Sequence, residues 1–268
     1  MGKFDGVLLA SDFDDTLYAT DKTVSPENRA ALDHFTANGG RFTIATGRAH
    51  RTLAPYLSLA PVNAPVVLSN GAQLYDFARG EMVLETTLPR SIGPDLEALA
   101  RELPALGVEA YHNDDVYVWN PNDFTRYHLE RAGTSAAERP VGDMPQPWGK
   151  AILHQKNEIL LEAQEAILKR WGDRYEAIFS NWHMLELTAR GSTKGGMVLE
   201  LAKRLGIARK DVYCVGDNQN DIPMLAVSAI PFAPANCAQE VKDFGAYLLR
   251  SCDESCIAQI VDILETRY

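Results

Sequence analysis

The sequence predicts an α/β protein in which a parallel-sheet domain is interrupted by an inserted α+β domain. Short apolar runs alternate with helical segments near both ends of the 268-residue chain, and polar clusters follow several of those runs. Strands that alternate with helices of about ten or more residues form right-handed βαβ units, and hence a parallel sheet. In the middle of the chain, turn-sized loops separate neighbouring predicted strands, which favours an antiparallel sheet there.

The amino-terminal segment contains the first three predicted strands. Val7–Ala10 is a short apolar run that ends in a cluster of acids, as a buried strand does when it opens into a loop. A helix follows, because Ser25-Pro26-Glu27 supplies an N-cap, a proline at the first helical position and an acid in the first turn. The runs Arg41–Thr46 and Pro65–Leu68 predict the next two strands, with a helix over residues 49–59 between them.

The same alternation returns in the last third of the chain. Its predicted elements are a helix over Lys194–Leu205, a strand over Asp211–Val215, a helix over Asp221–Val227, and short strands over Ala229–Phe232 and Ala246–Leu249. We therefore predict that residues 1–81 and 189–268 form one Rossmann-like core, and that residues 82–188 form the inserted domain.

The insert has a different pattern. Its predicted helices cover residues 94–106, 122–132 and 158–171, and its predicted strands cover residues 108–112, 116–119, 151–154, 175–179 and 182–187. The proline-rich stretch Arg139–Trp148 is expected to be a loop within the insert. Helices and antiparallel strands in one block predict an α+β domain.

Composition excludes several classes of protein. Lys and Arg total 26 against 36 Asp and Glu, and the net charge of −10 disfavours a nucleic-acid partner. The single short apolar run near the amino terminus is flanked by charge, so we expect neither a signal peptide nor a membrane span. The four cysteines lack the spacing of a metal or redox site, which favours a reducing, cytoplasmic compartment.

Four polar clusters fall at or beside the predicted ends of the core strands. They are Asp12–Thr16, Thr46–Arg48, Lys194 and Gly216–Asp221. Taken singly, each has an ordinary explanation: acids after a strand cap helices or shape turns, and a lysine that begins a helix is usually solvated. The carboxyl ends of parallel strands meet at one edge of a sheet, however, and ligands bind there. The four clusters together therefore predict one functional site.

These residues resemble the four motifs of the haloacid-dehalogenase-superfamily phosphatases. The matching segments are DFDDTL at 12–17, the strand that closes in Thr46, Lys194, and GDNQND at 216–221, in the same order and spacing. TGR at 46–48, SNGA at 69–72 and GDNQNDIPML at 216–225, with a large insert between the second and third motifs, look like Cof-type phosphatases with a C2-type cap. Asp15 departs from the family pattern, which has glycine there, and adds charge beside the expected metal.

The resemblance implies a magnesium-dependent mechanism that suits the residue types. Asp12, the backbone carbonyl of Asp14 and Asp217 would be the metal ligands, since Mg²⁺ takes a few protein oxygens and keeps waters. Asp12 would attack phosphorus and form an aspartyl phosphate. Asp14 would protonate the leaving oxygen and then, as a base, activate water against the intermediate.

The remaining site residues would bind the phosphoryl group or support those that do. The binding residues expected are Thr46, Gly47, Lys194 and Asn220. The supporting residues expected are Thr16 and Asp221, of which Asp221 would hold Lys194 or a metal-bound water. Arg48 has two open interpretations, as a substrate contact or as a surface residue at the start of a helix.

We therefore expect Mg²⁺-dependent hydrolysis of small phosphate monoesters, with a sugar phosphate as substrate by resemblance and specificity residing in the insert. One alternative is a phosphatase for phosphorylated cofactors such as pyridoxal phosphate or FMN. Another is a phosphometabolite-binding regulator without turnover, although a binder needs neither Asp12 nor Asp14. A dinucleotide-dependent dehydrogenase is disfavoured because no GxGxxG follows the first strand. We expect a monomer or small homo-oligomer.

Overall fold

The chain divides into two compact units. A computed structural model describes residues 2–113 and 115–268. The core unit comprises Met1–Leu84 and Thr193–Tyr268, and the insert comprises Glu85–Ser192. The insert thus begins three residues later and ends four residues later than the range expected from the sequence, 82–188.

The secondary structure follows the predicted α/β pattern. The first core segment forms β1 (Leu8–Ser11), α1 (Pro26–Ala37), β2 (Arg41–Ile44), α2 (His50–Leu53), β3 (Val66–Leu68), β4 (Gln73–Asp76) and β5 (Glu81–Glu85). The insert forms α3 (Ile92–Glu102), β6 (Gly107–His112), β7 (Asp115–Trp119), α4 (Asp123–Ala132), β8 (Ala136–Glu138), β9 (Lys150–His154), α5 (Asn157–Trp171), β10 (Tyr175–Asn181) and β11 (Met184–Ala189). The last core segment forms α6 (Lys194–Leu205), β12 (Val212–Val215), α7 (Ile222–Leu225), β13 (Pro231–Ala233), α8 (Gln239–Phe244), β14 (Tyr247–Leu248) and α9 (Cys256–Arg267).

The core is built on a parallel sheet of five strands in the order β14-β13-β12-β1-β2. In the register of the central strand β1, Ser11 lies opposite Val215 of β12 on one side and Ile44 of β2 on the other. The carboxyl ends of β1, β2 and β12 therefore lie side by side. The loops that follow these three strands meet at one edge of the sheet, as the sequence predicts.

Helices cover both faces of this sheet. Leu9 of β1 faces a cluster that includes Phe35 of α1 and Ile260 of α9, whereas Leu8 faces a cluster that includes Leu201 of α6 and Met224 of α7. Successive side chains of a strand point to opposite faces, so a strand that is apolar throughout is buried on both sides. This packing confirms the prediction of a Rossmann-like core.

Several core elements differ from the predictions. Strand β3 pairs with β4 in an antiparallel hairpin, and its pairing with the main sheet among the described residues is a parallel bridge between Val67 and Ala45. Four core elements have no counterpart among those predicted from the sequence: β4, β5, α8 and α9. The helix predicted over residues 49–59 is instead α2 followed by a 3₁₀ turn, Ala54–Leu59, with Pro55 near its start.

The insert contains one sheet in the order β10-β11-β9-β6-β7-β8. Its pairs are antiparallel, as predicted, except that the unpredicted β8 lies parallel to β7. Side chains of α3 and α5, such as Leu99 and Ile167, pack with Trp148 and Tyr175 in an apolar core. Near the two ends of the insert, the hydroxyls of Thr86 and Ser192 lie 2.7 Å apart and form a hydrogen bond.

The helices of both units are short. The longest, α5, has 15 residues. Across residues 2–113 and 115–268, none of the helices combines the length and the apolar character that crossing a bilayer requires.

Candidate active site

Asp12 lies at the carboxyl edge of the core sheet, directly after β1. Its backbone amide donates a hydrogen bond of 2.9 Å to the carbonyl of Val215, which extends the pairing of β1 with β12 by one residue. Its side chain is buried, and Oδ1 accepts a hydrogen bond of 2.6 Å from Lys194 Nζ. The end of the central strand therefore fixes the position of this carboxylate.

Lys194 bridges two carboxylates at the start of α6. Its Nζ lies 2.6 Å from Asp12 Oδ1 and 2.6 Å from Asp221 Oδ1, and the residue is 1% exposed. Burial alone would lower the pKa of Lys194, but the two neighbouring carboxylates outweigh burial and raise that pKa above its ordinary value. The lysine is therefore a fixed positive charge, and a buried ammonium group requires partners of this kind.

Asp221 organises the loop that follows β12. While its Oδ1 binds Lys194, its Oδ2 accepts hydrogen bonds of 3.0 Å from the backbone amides of Asp217 and Asn218. A Cβ atom on Gly216 would lie 2.3 Å from Asp221 Cγ, so only glycine fits at that position without movement. The structure thus brings Asp221 to Lys194, the first of the two arrangements expected from the sequence.

Asp12, Asp217 and Asp221 form an acidic cluster in which one carboxylate oxygen from each residue lies within 4.8 Å of the other two. Thr16 donates a hydrogen bond of 3.1 Å to Asp217 Oδ1. Burial first, and then the charge of Asp221, raise the pKa of Asp12 well above its ordinary value and the pKa of Asp217 to about 7. Lys194 alone does not neutralise three carboxylates, so the cluster favours an additional cation.

The donors of this cluster fit a hard divalent cation. Both oxygens of Asp221 already have hydrogen-bond partners, which leaves Asp12 and Asp217 as the carboxylate donors. Oxygen ligands at a few positions, completed by water, are what Mg²⁺ takes in proteins. The backbone carbonyl of Asp14, in the same loop as Asp12, is the third protein ligand expected from the sequence.

The carboxylate of Asp14 binds Arg48 and does not join the acidic cluster. Arg48 Nε donates to Asp14 Oδ2 at 2.8 Å, and Arg48 Nη2 donates to Asp14 Oδ1 at 2.7 Å. The guanidinium also lies over the rings of Phe13 and Tyr56, at 5.1 Å and 4.7 Å from their centroids. Arg48 is thus a partly exposed partner of Asp14 that lies two residues before α2.

Asp15 occupies a position at which the backbone favours glycine. Its φ of 56° lies in the left-handed region, which aspartate tolerates better than most side chains. The side chain of Asn236 donates a hydrogen bond of 2.9 Å to the Asp15 carbonyl. Asp15 therefore adopts a left-handed backbone conformation at the position where the resemblance in the sequence leads one to expect glycine.

The residues expected to bind phosphate lie beside the segment Ser69–Ala72. Thr46 is buried, and its Oγ1 accepts a hydrogen bond of 3.1 Å from the Arg48 amide, so this bond does not use the hydroxyl hydrogen. A Cβ atom on Gly47 would lie 3.2 Å from Asn70 Nδ2. Asn220 Nδ2 donates a hydrogen bond of 3.1 Å to Asn70 Oδ1.

Asn70 and Tyr56 received no role from the sequence. The SNGA motif at 69–72 could have drawn attention to Asn70, whereas no sequence signal singles out Tyr56. Buried acids, a buried lysine and a Thr-Gly turn at the carboxyl edge of a parallel sheet are the kinds of group that phosphoryl transfer requires.

Comparisons with known proteins agree with this class. The sequence profile of the haloacid dehalogenase-like hydrolases matches residues 9–261. A putative phosphatase of Bacillus subtilis is 28% identical over 261 residues, covering 95% of this chain and 96% of its own. A 5-amino-6-(5-phospho-D-ribitylamino)uracil phosphatase of the same organism is 24% identical over 271 residues, with 95% and 96% coverage. The solved structure of a subclass IIB sugar phosphatase superposes with a TM-score of 0.82 at 20% identity, with 97% and 99% coverage.

The chain therefore belongs to the haloacid dehalogenase-like hydrolases, and within that superfamily to the phosphatases, which are phosphoric monoester hydrolases. Enzymes of this family generally use a divalent metal, and the acidic cluster of Asp12, Asp217 and Asp221 provides a place for one.

Proposed function

We propose that the protein is a Mg²⁺-dependent phosphatase that acts on small phosphate monoesters through an aspartyl phosphate at Asp12. The observation that carries this proposal is the buried bridge from Lys194 to Asp12 and Asp221. A carboxylate fixed at a strand end can attack phosphorus. The neighbouring lysine and Thr-Gly turn can balance the negative charge of the phosphoryl oxygens during that attack.

The proposed roles follow from where each side chain lies. Asp12 would form the bond to phosphorus, and Lys194 would balance the charge of the phosphoryl oxygens. The Thr46 hydroxyl and the Gly47 amide would donate hydrogen bonds to those oxygens, while Asn220 orients them. Asp12, Asp217 and the Asp14 carbonyl would hold Mg²⁺, with Thr16 supporting Asp217. When bound, the cation offsets the repulsion between a carboxylate nucleophile and an anionic ester.

Asp14 is proposed as the acid and base of the reaction. It would protonate the leaving oxygen as the ester bond breaks and then take a proton from the water that hydrolyses the aspartyl phosphate. Its bidentate pair with Arg48 holds its carboxylate in one orientation. We assign Arg48 to this positioning and not to the substrate.

As substrate we propose a phosphate ester on a polyhydroxylated carbon chain, with a sugar phosphate first. The resemblance to Cof-type phosphatases supports this class. The relative named for a phosphoribitylamino-uracil supports a second candidate, a phosphorylated cofactor or its precursor, which also carries a polyol phosphate. We propose that the insert determines which phosphate esters are accepted.

The four cysteines are free and buried, which supports the proposed cytoplasmic location. The net charge of −10 supports the proposal that nucleic acid is not a partner. We propose a monomer or small homo-oligomer.

The test is phosphate release from a panel of sugar phosphates and phosphorylated cofactors, with saturating Mg²⁺ and with EDTA. Asp12→Asn removes the nucleophile while nearly preserving shape, so turnover should fall to background. Asp33→Asn, at an exposed aspartate on α1, is the matched control and should keep full activity. Turnover in Asp12→Asn or in EDTA would contradict the mechanism, and binding without turnover in the unaltered protein would favour a regulator.

A further inference from the structure

The segment after β3 has an unusual backbone. Ser69, Asn70 and Gly71 have φ values of 51°, 55° and 98°, so three successive residues lie in the left-handed region. Residues other than glycine rarely adopt this conformation, and where they do, the surrounding structure holds them in place. Such positions cluster at ligand sites, so this segment is a candidate for contact with a ligand.

Contacts with the site hold the segment in this conformation. The Asn70 amide donates a hydrogen bond of 3.0 Å to the carbonyl of Thr46. A Cβ atom on Gly71 would lie 2.2 Å from the carbonyl oxygen of Thr193, the residue that caps α6 and precedes Lys194. The segment is therefore packed between the Thr46 turn and the helix that carries Lys194.

The side chain of Asn70 has one satisfied end and one unsatisfied end. The residue is 7% exposed, and its Oδ1 accepts a hydrogen bond from Asn220 Nδ2. Its Nδ2 has no hydrogen-bond partner among the described residues, and it lies beside Gly47. Buried amide groups in proteins are nearly always paired, and an unpaired one suggests a missing ligand.

We propose that Asn70 Nδ2 donates a hydrogen bond to an oxygen of the phosphoryl group bound at Thr46 and Gly47. A carboxamide nitrogen carries donors only, so its partner must be an acceptor, and an anionic oxygen is the strongest acceptor in a phosphatase site. Asn220 is then a positioning residue, because its bond to Asn70 Oδ1 fixes the orientation of the carboxamide and leaves Nδ2 as the end without a partner. This inference rests on the proposed function, which places a phosphoryl group there.

Two substitutions remove the donor and keep the backbone conformation. Asn70→Gly deletes the side chain in a conformation that glycine adopts readily, and Asn70→Asp keeps the shape but presents a charged oxygen instead of a donor. Asn113→Gly is the matched control, since Asn113 has a φ of 53° and lies exposed in the insert.

The probe is inorganic phosphate, measured as an inhibitor of p-nitrophenyl phosphate hydrolysis by the full-length protein with Mg²⁺. Loss of a hydrogen bond to a charged group should raise the inhibition constant about 10- to 100-fold in Asn70→Gly. Asn70→Asp should show a larger increase because its carboxylate repels phosphate. The Mg²⁺ concentration for half-maximal activity should stay unchanged, which a general disruption of the sheet edge would not allow.

A double substitution tests the role of Asn220. If Asn220 acts through Asn70, Asn220→Ala should raise the phosphate inhibition constant in the unaltered protein and add little in the Asn70→Gly background. Full additivity would overturn the positioning role.

An unchanged phosphate inhibition constant in both Asn70→Gly and Asn70→Asp would overturn the proposed hydrogen bond. A parallel shift in phosphate and Mg²⁺ constants would also overturn it, in favour of a structural role. Failure of the proposed function gives a different result, because the unaltered protein would then release no phosphate from any ester.

Discussion

Lys194→Met removes the ammonium group that lies between Asp12 and Asp221 and nearly keeps the length of the side chain. Both ion pairs have donor–acceptor distances of 2.6 Å, and the lysine is 1% exposed. Removing one partner of a buried pair leaves an uncompensated charge and typically costs about 3–5 kcal/mol. We expect the metal-free variant to lose about that much unfolding free energy at pH 8.

The pH dependence of this loss has a definite sign. The folded-state pKa of Asp12 is raised, chiefly by burial, and removing Lys194 removes a charge that lowers it. Below that folded-state pKa the folded protein binds a proton that the unfolded chain does not bind until lower pH. The deficit of Lys194→Met should therefore shrink as pH falls from 8 towards 5.

Urea unfolding of the metal-free protein measures this loss of unfolding free energy. The unfolding midpoints of the variants can be compared if the m-value is the same for each. Lys203→Met places the same substitution at an exposed position on the same helix and should change stability by less than about 0.5 kcal/mol. If Lys194→Met is as stable as Lys203→Met at pH 8, the bridge does not hold the site together.

Three further outcomes are expected. Asp14→Asn should slow the first step on an alkyl phosphate more than on p-nitrophenyl phosphate, whose leaving group needs little protonation, and rapid quench should show a p-nitrophenol burst; equal slowing contradicts the acid role. Arg48→Met should shift the ratio of kcat values for the two esters in the same direction, because Asp14 loses its orienting partner. Gly71→Ala should cost about 1–3 kcal/mol in urea unfolding, since its Cβ would meet Thr193 at 2.2 Å. Gly80→Ala, with positive φ but open space around it, should cost less and keep activity.

The parallel core was predictable because its strands are short apolar runs that end in polar clusters. The unpredicted strands β4 and β5 are only partly buried, and polar residues lie at one or both ends of each, so neither forms a long apolar run. Helices α8 and α9 lack a side-chain N-cap hydrogen bond, and α9 begins after Ser255, whose φ is 63°. At α8 the capping position holds Ala238, which has no capping side chain, whereas at α9 the hydroxyl of Ser255 bonds to Ser25 instead of capping the helix.

The candidate site was predictable where it depends on motifs, and unpredictable where it depends on contacts between distant residues. Asp12, Lys194 and Asp221 follow from their positions at strand and helix ends. The bond from Asn220 to Asn70 joins residues 150 positions apart. It occupies Asn70 Oδ1 and so leaves Nδ2 as the unpaired end of the side chain. No local pattern carries that information.

The hydrogen bond between Thr86 and Ser192 has a consequence for how such a protein can change over evolution. This hydrogen bond joins the second residue of the insert to its last residue. The bond therefore holds together the two points at which the chain leaves the core and returns to it. The entropic cost of closing a flexible loop grows only by about 0.6 kcal/mol for each doubling of its length. Segments of very different length can therefore replace one another between these two residues with little loss of stability of the core sheet. The insert can change in evolution while the core stays the same.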